Sequence, residues 1–160
     1  MASRVPLKEI LDYFAEADWP LQEVDEASGR IYTSFRGENV VVDLEAALNL
    51  DWRLLQLTLT LPEVVPGQRL AEVLAAINRV NSKLPLGHFE IDPENRQPAY
   101  YVAVPLTGQP DLRSLFESLL AWAVDIVDQE HPKLMQAIYA EEDGDSSLAG
   151  LETPSRRFDA

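Results

Sequence analysis

Three side chains that could bind a metal recur at every second position in the sequence HFEID. His88, Glu90 and Asp92 stand at i, i+2 and i+4, so on a β-strand they share one face. An imidazole and two carboxylates can hold a divalent cation. Phe89 and Ile91 would occupy the opposite face, and simple alternation of a half-buried strand produces the same pattern. We favour the solvated polar face and expect no metal ligands here.

A second reactive pair, Asp128 and His131, has the i, i+3 spacing at which a helical carboxylate can orient an imidazole. A general base also needs a nucleophile or a substrate pocket, and no second motif supplies one. We therefore predict a histidine at a helix C-terminus, where it interacts with the helix dipole. With two histidines, no cysteine and no glycine-rich phosphate loop, we expect no catalytic residues and no cofactor.

The charge balance argues against several classes of ligand. The 160 residues include 13 Lys and Arg against 27 Asp and Glu, which gives a formal net charge of −14 at pH 7. This charge repels phosphate backbones and anionic lipids, so we expect neither nucleic-acid nor membrane binding. The lack of cysteine excludes disulfides and thiolate ligands. Without a signal-peptide pattern or a membrane-length apolar run, the sequence predicts a cytoplasmic protein.

Hydrophobic periodicity predicts the elements that position these groups. Helical spacing predicts helices at Pro6 to about Asp18, at Gly67 to Lys83, and from Pro110-Asp111 onward with an interruption at His131-Pro132. Alternation predicts strands at residues 30–36, 40–44, 53–61, 87–92 and 99–106, whereas residues 45–52 could be a loop or a short helical turn.

Each predicted strand offers its stronger apolar set to one face only. We therefore predict an α+β domain with two layers, in which one antiparallel sheet is covered by three helices in the order α-β-β-β-α-β-β-α. This domain should span residues 1–140. Residues 141–160 contain the acidic run Glu141, Glu142, Asp143 and Asp145, which could dock elsewhere. Charge runs are usually solvated, so we expect a disordered acidic tail.

The outer face of the predicted sheet is a candidate binding surface. Tyr32, Val41 and Tyr101 are more apolar than a solvated face requires, and Thr58 lies among them. Aromatic and small polar residues on an open sheet suit a dimer interface, a partner protein or an extended peptide. Isolated surface aromatics on a half-exposed sheet are an equally open alternative.

Several segments resemble the YbjN family, which is similar in fold to the type III secretion chaperones such as the Tir chaperone. The matching residues are Asn78 and Asn81, the run Pro85 to Asp92 (PLGHFEID), the strand Tyr100 to Leu106, and Glu130-His131-Pro132. The resemblance covers about residues 5–139. It implies a two-layer α+β fold, a homodimer, and no enzymatic activity. The function it implies is sensory or regulatory, or chaperone-like.

Structural roles account for the matched residues. Gly87 lies where the chain passes from helix to strand and needs a tight turn with a positive φ. Asn81 falls in the last helical turn, where an amide can satisfy free carbonyl groups or adopt the left-handed conformation. Phe89 and Ile91 are the expected buried anchors. Asn78 and Asn81 mark the end of the helix.

From the residues and the resemblance together, we expect a non-enzymatic, chaperone-like module that binds a protein or peptide. The outer sheet face and a sheet edge would carry the binding. A regulatory protein that acts through one specific folded partner is the alternative.

Overall fold

The computed structural model describes residues 4–107 and 111–140, which form three α-helices and six strands. The helices are α1 (Arg4–Glu16), α2 (Leu70–Asn81), which follows a 3₁₀ turn at Gly67–Arg69, and α3 (Leu112–Tyr139). The strands are β1 (Glu23–Asp25), β2 (Arg30–Arg36), β3 (Val41–Asn49), β4 (Leu54–Thr60), β5 (His88–Ile91) and β6 (Pro98–Pro105). Residues 141–160, predicted to be a disordered tail, lie outside the described residues.

All six strands belong to one antiparallel sheet with the order β1-β2-β3-β4-β6-β5. The first four strands form a meander. After α2 the chain returns to the sheet through the β5–β6 hairpin, whose second strand pairs with β4. The predicted α+β class is therefore confirmed, and the short strand β1 is an addition to the predicted order.

One face of the sheet forms the core with the helices. On β4, Leu55, Leu57 and Leu59 are fully buried, while the intervening Gln56 and Thr58 on the other face are only partly buried. The same apolar cluster includes residues from all three helices and from β2, β3, β5 and β6. Burial of these side chains is the main driving force that joins the two layers.

The predicted loop or helical turn at residues 45–52 is wrong for its first part, because β3 continues to Asn49. Ala46 and Leu48 are buried in the core, and the Leu48 N–H donates to the Gly29 carbonyl at 2.9 Å. Alanine has little intrinsic preference for strands, so local propensity pointed away from the pairing that this segment makes.

The predicted interruption of the third helix is also wrong, because α3 runs without a break through Pro132. Proline has no N–H, so the Asp128 carbonyl loses its usual helical partner four residues later. The Asn39 side-chain amide donates to that carbonyl at 3.1 Å and replaces the missing bond. The start of α3 fits the prediction: Asp111 caps it, and hydrogen bonds from Ser114 lower the pKa of the Asp111 carboxyl.

Asn39 reaches α3 because the turn between β2 and β3 approaches the helix closely. The Asp128 carboxylate accepts from the Asn39 backbone N–H at 2.8 Å and also contacts its side-chain amide at 3.3 Å. A side chain at Gly37 would overlap this carboxylate, so glycine permits the close approach. The turn itself is closed by a 2.8 Å bond from the Gly37 N–H to the Val40 carbonyl, as expected for a tight hairpin.

Gly87 has the positive φ that the helix-to-strand connection was predicted to need, at 72°. A Cβ at this position would overlap the hydroxyl of Tyr100, a fully buried residue. That hydroxyl donates to the Leu86 carbonyl at 2.7 Å and accepts from the Trp122 indole at 2.9 Å. Burial raises the pKa of the Tyr100 hydroxyl.

A double-mutant cycle tests the interaction between Asn39 and α3. We expect Asn39→Ala to lower the free energy of unfolding by about 1 kcal/mol, because the Asp128 carbonyl and carboxylate both lose a donor. In a Pro132→Ala background the restored backbone N–H bonds that carbonyl. The cost of Asn39→Ala should then shrink by at least about 0.5 kcal/mol in urea denaturation. Equal costs in both backgrounds would contradict the role assigned to Asn39, and Glu38→Ala in the same turn is the control.

Candidate functional site

The sheet face opposite the core is open: none of α1, α2 and α3, the helices of the described ranges, covers it. The strand registers align the outward residues of neighbouring strands in rows across the sheet. The central row consists of Tyr32, Glu45, Thr58, Tyr101 and His88, in that spatial order. We call these five residues the central row.

Polar contacts hold the central row and its flanks in place. The Gln56 amide donates to the Tyr101 hydroxyl, and the rings of Tyr101 and His88 lie 5.5 Å apart. Towards the β2 end of the row, the Arg30 guanidinium Nη1 lies 3.3 Å from the Glu45 carboxylate Oε1. A hydrogen bond with Tyr32 and, next, attraction to Glu45 raise the pKa of Arg30. The face is therefore an ordered surface on which aromatic rings alternate with polar and charged groups.

Three of the four residues predicted for this surface lie in the central row: Tyr32, Thr58 and Tyr101, all partly buried. Val41 is separate from them. It pairs with Arg36 at the far end of β3, is 39% exposed, and borders a cleft of about 360 Å³. The structure adds Gln56 to this face through its hydrogen bond to Tyr101, and the alternation of the β4 leucines is the sequence signal that indicates its outward position.

At the free edge of β5, Asn81 bonds both backbone groups of Phe89. Its side-chain oxygen accepts from the Phe89 N–H at 2.7 Å, and its side-chain nitrogen donates to the Phe89 carbonyl at 2.9 Å. These are the two bonds that a residue of an added strand would make. The predicted role of Asn81 at its own helix end is wrong, because its amide serves the strand. Asn78 is exposed on α2, Phe89 is buried, and Ile91 is partly buried.

At the other edge, β1 covers only the beginning of β2, from Arg30 to Tyr32. Beyond it, the Trp19 indole N–H lies 3.1 Å from both the Ser34 carbonyl and the Thr33 hydroxyl. The Thr33 hydroxyl in turn donates to the Pro20 carbonyl at 2.7 Å. Side chains therefore satisfy backbone groups at both edges of the sheet.

The candidate metal ligands separate in the structure. His88 and Glu90 share the outer face, with 3.2 Å between imidazole Nε2 and carboxylate Oε2. Asp92 lies beyond the end of β5, and its carboxylate accepts from the backbone N–H groups of Glu94 and Asn95 at 2.7 and 3.1 Å. Within residues 4–107 and 111–140, no group of three or more His, Asp and Glu side chains is placed to hold a metal ion.

Both sequence-based interpretations of His131 are wrong: it does not pair with Asp128, and it does not lie at the C-terminus of the helix. Asp128 contacts Asn39, and His131 lies eight residues before the end of α3, away from the terminal dipole. His131 is 8% exposed, and its Nε2 lies 3.0 Å from Oε1 of Glu63, in the segment that follows β4. The other Glu63 oxygen is buried with no hydrogen-bond partner among the described residues. This pair ties the segment before α2 to α3.

One family model and several solved structures are similar to this chain. The family model YbjN, described as "Putative bacterial sensory transduction regulator", matches residues 6–134. The crystal structure of the ExsC-ExsE complex is similar at 17% identity, covering 82% of this chain and 95% of that chain, with a TM-score of 0.57. No curated protein matches the sequence.

Two further solved structures share the fold. The crystal structure of YbjN, "a putative transcription regulator from E. coli", has 7% identity, covers 79% of this chain and 92% of that chain, and gives a TM-score of 0.58. The structure of the HopA1-SchA chaperone-effector complex is similar at 15% identity. The match covers 81% of this chain and 98% of that chain, with a TM-score of 0.51. At these identities the likeness shows the fold, and it confirms the predicted secretion-chaperone type. In the described part of the chain, no helix is both long and apolar enough to cross a membrane.

Removing the Asn81 side chain should both destabilise the protein and open its sheet edge. We expect Asn81→Ala to lower the free energy of unfolding by about 1–3 kcal/mol, since the Phe89 N–H and carbonyl lose their partners. The freed edge should also promote association that increases with protein concentration, measured by light scattering. Asn78→Ala, which removes an exposed amide from the same helix, is the matched control. Identical behaviour of the two variants would refute the role assigned to Asn81 at this edge.

Proposed function

The chain belongs to the YbjN family, and on that premise we propose that it is a non-enzymatic, chaperone-like module that binds a partner protein or an extended peptide. Two of the structures that share its fold are complexes, ExsC-ExsE and the chaperone-effector pair HopA1-SchA. Their similarity supports a partner-binding role for this chain. A cytoplasmic location without a bound cofactor, nucleic acid or membrane belongs to the same proposal.

The open central row is the observation that carries the proposal. Tyr32 and Tyr101 flank Glu45 and Thr58 on a face that the helices leave uncovered. Tyrosine combines a large apolar ring with a hydroxyl that bonds to a partner, and this combination is enriched at interfaces. The row crosses five strands, so a segment lying along it would contact successive side chains from β2 to β5.

Contacts already made at the two sheet edges favour a partner that binds to side chains of the open face over one that adds a strand at an edge. At β5 the Asn81 amide already occupies the backbone groups of Phe89, and at β2 the Trp19 indole occupies the Ser34 carbonyl. Strand addition at either point would first have to displace these contacts. The predicted use of a sheet edge therefore has less support than the use of the face.

The charges of the face indicate the chemistry of the partner. The acidic residues of this face include Glu23, Asp43, Glu45 and Glu90, and its basic residues are Arg30, Arg36 and His88. With the overall charge of −14, this balance favours a partner segment that combines basic and aromatic or aliphatic residues.

The reactive side chains of the chain already have structural tasks, which supports a role without catalysis. Asp92 closes the β5–β6 turn, Asp128 holds the β2–β3 turn, and His131 pairs with Glu63. His131 does stand beside a carboxylate, but it is only 8% exposed, so within the described ranges a substrate has little access to this pair.

A regulatory protein that acts through one specific folded partner is the second candidate, and the description of the family as a sensory transduction regulator favours it. The two candidates differ in what they bind. A chaperone-like module should recover several partly unfolded proteins from a cell lysate, whereas a regulator should recover one folded protein in a fixed ratio. We also propose a homodimer, which size-exclusion chromatography with light scattering at micromolar concentration would test; a monomer would reject it.

A charge placed in the centre of the row should weaken partner binding. We expect Thr58→Arg to weaken binding of the recovered partner at least tenfold in calorimetry, because the long cationic side chain obstructs the space between the two tyrosines. Thr107→Arg makes the same chemical change at an exposed turn and should bind normally. Both variants should unfold at urea concentrations close to that of the original chain. Unchanged affinity of a folded Thr58→Arg protein would place the binding site elsewhere.

A further inference from the structure

A groove of about 590 Å³ runs between α2 and α3 on the helical layer, away from the outer sheet face. Its floor is apolar and is formed by Val80, Leu84, Ile126 and Ala137. The two helices are antiparallel here: the Arg69 guanidinium, before the start of α2, donates to the Ala137 carbonyl near the end of α3. The groove therefore extends from the last turns of α3 towards the C-terminal end of α2.

The rim of the groove is basic, although the chain as a whole is strongly acidic. Arg79, Lys83 and Lys133 line it against one carboxylate, Glu130. Glu130 pairs with Lys133 at 2.7 Å. Within the described ranges, neither Arg79 nor Lys83 has a carboxylate within ion-pairing distance. An apolar floor beneath unpaired cations suits an acidic segment that also carries apolar side chains.

The chain contains such a segment directly after the helix that forms one wall. From Tyr139, the end of α3, the sequence continues through Glu141, Glu142, Asp143 and Asp145 to Leu148 and Leu151. We infer that residues 141–151 dock back into the groove of their own chain, with the carboxylates towards Arg79, Lys83 and Lys133 and the two leucines towards the floor. This differs from the disordered tail that the composition alone predicts.

The lengths allow this return. Lys133 lies seven residues before Ala140, or about 10 Å along the helix at about 1.5 Å per residue. The eleven residues of the segment span up to about 36 Å when extended, at about 3.3 Å each. The segment can therefore reverse direction after α3 and still reach the C-terminal end of α2.

Covalent attachment strengthens contacts that would be weak between separate molecules. Exposed ion pairs contribute little by themselves, but a short tether holds the segment near the groove at an effective concentration in the millimolar range. The docked segment would exclude any acidic partner from the groove. Because the groove lies on the opposite layer, docking would leave the central row of the sheet accessible, so this inference is independent of the proposed function.

The lack of native cysteine permits a direct test on the full-length chain. A nitroxide attached to Ser147→Cys should broaden the backbone amide signals of residues 79–84 in nuclear magnetic resonance spectra. The broadening should decrease in 1 M salt, where the screening length falls to about 3 Å. The broadening should also largely disappear in the double variant Arg79→Gln/Lys83→Gln. The matched control, Lys8→Gln/Arg53→Gln, removes the same charges at exposed residues that do not line the groove, and the broadening should persist in it.

Two outcomes would overturn the inference. Broadening confined to the last turn of α3, or equal broadening in the groove variant and its control, would show that the segment does not dock there. A mixed sample distinguishes docking within one chain from docking between two chains. It combines an isotope-labelled chain without nitroxide and a nitroxide-bearing chain without isotope. Broadening of residues 79–84 in that mixture would mean that the tail of a second copy occupies the groove.

Discussion

The continuity of α3 through Pro132 is the constraint on which both layers depend. At 28 residues the helix is about 42 Å long, and it packs against α1, α2, β4 and β6. A break at Pro132 would displace Leu134 and Ile138, which are buried in the core beyond it. The Asn39 amide on the Asp128 carbonyl compensates for the missing proline N–H at the one point where the helix would otherwise be weakest. A turn between two strands thus stabilises the helix that covers them.

The sequence predicts the two layers well because the hydrophobic periodicity that assigns residues to the core is contained within each strand or helix. Leu55, Leu57 and Leu59 alternate over a few residues, and that period alone assigns one face of β4 to the core. The outward positions of Tyr32, Thr58 and Tyr101 follow by the same reasoning. Their alignment in one row needed the registers of β2, β3, β4 and β6, which periodicity within one strand does not contain.

Two errors of the sequence-based reading share a physical cause: the decisive partner lies far along the chain. Asn39 is 89 residues from Asp128, and Glu63 is 68 residues from His131. Local rules consequently predicted a proline break and a histidine at the end of a helix, each reasonable for an isolated segment. The groove between α2 and α3 is likewise a tertiary feature, because Arg79, Lys83 and Lys133 are too dispersed in sequence to mark a basic site.

The bond between Asn81 and Phe89 also has a consequence for the order of folding. It joins residues only eight apart, so closing that loop costs little chain entropy compared with contacts between distant strands. We expect the end of α2 and β5 to form a native-like hairpin of helix and strand before β6 arrives. An apolar strand in a partly folded chain is a site where other chains can add. Here the preceding helix would shield the strand from its earliest appearance, including during synthesis, when the residues of β6 have not yet left the ribosome.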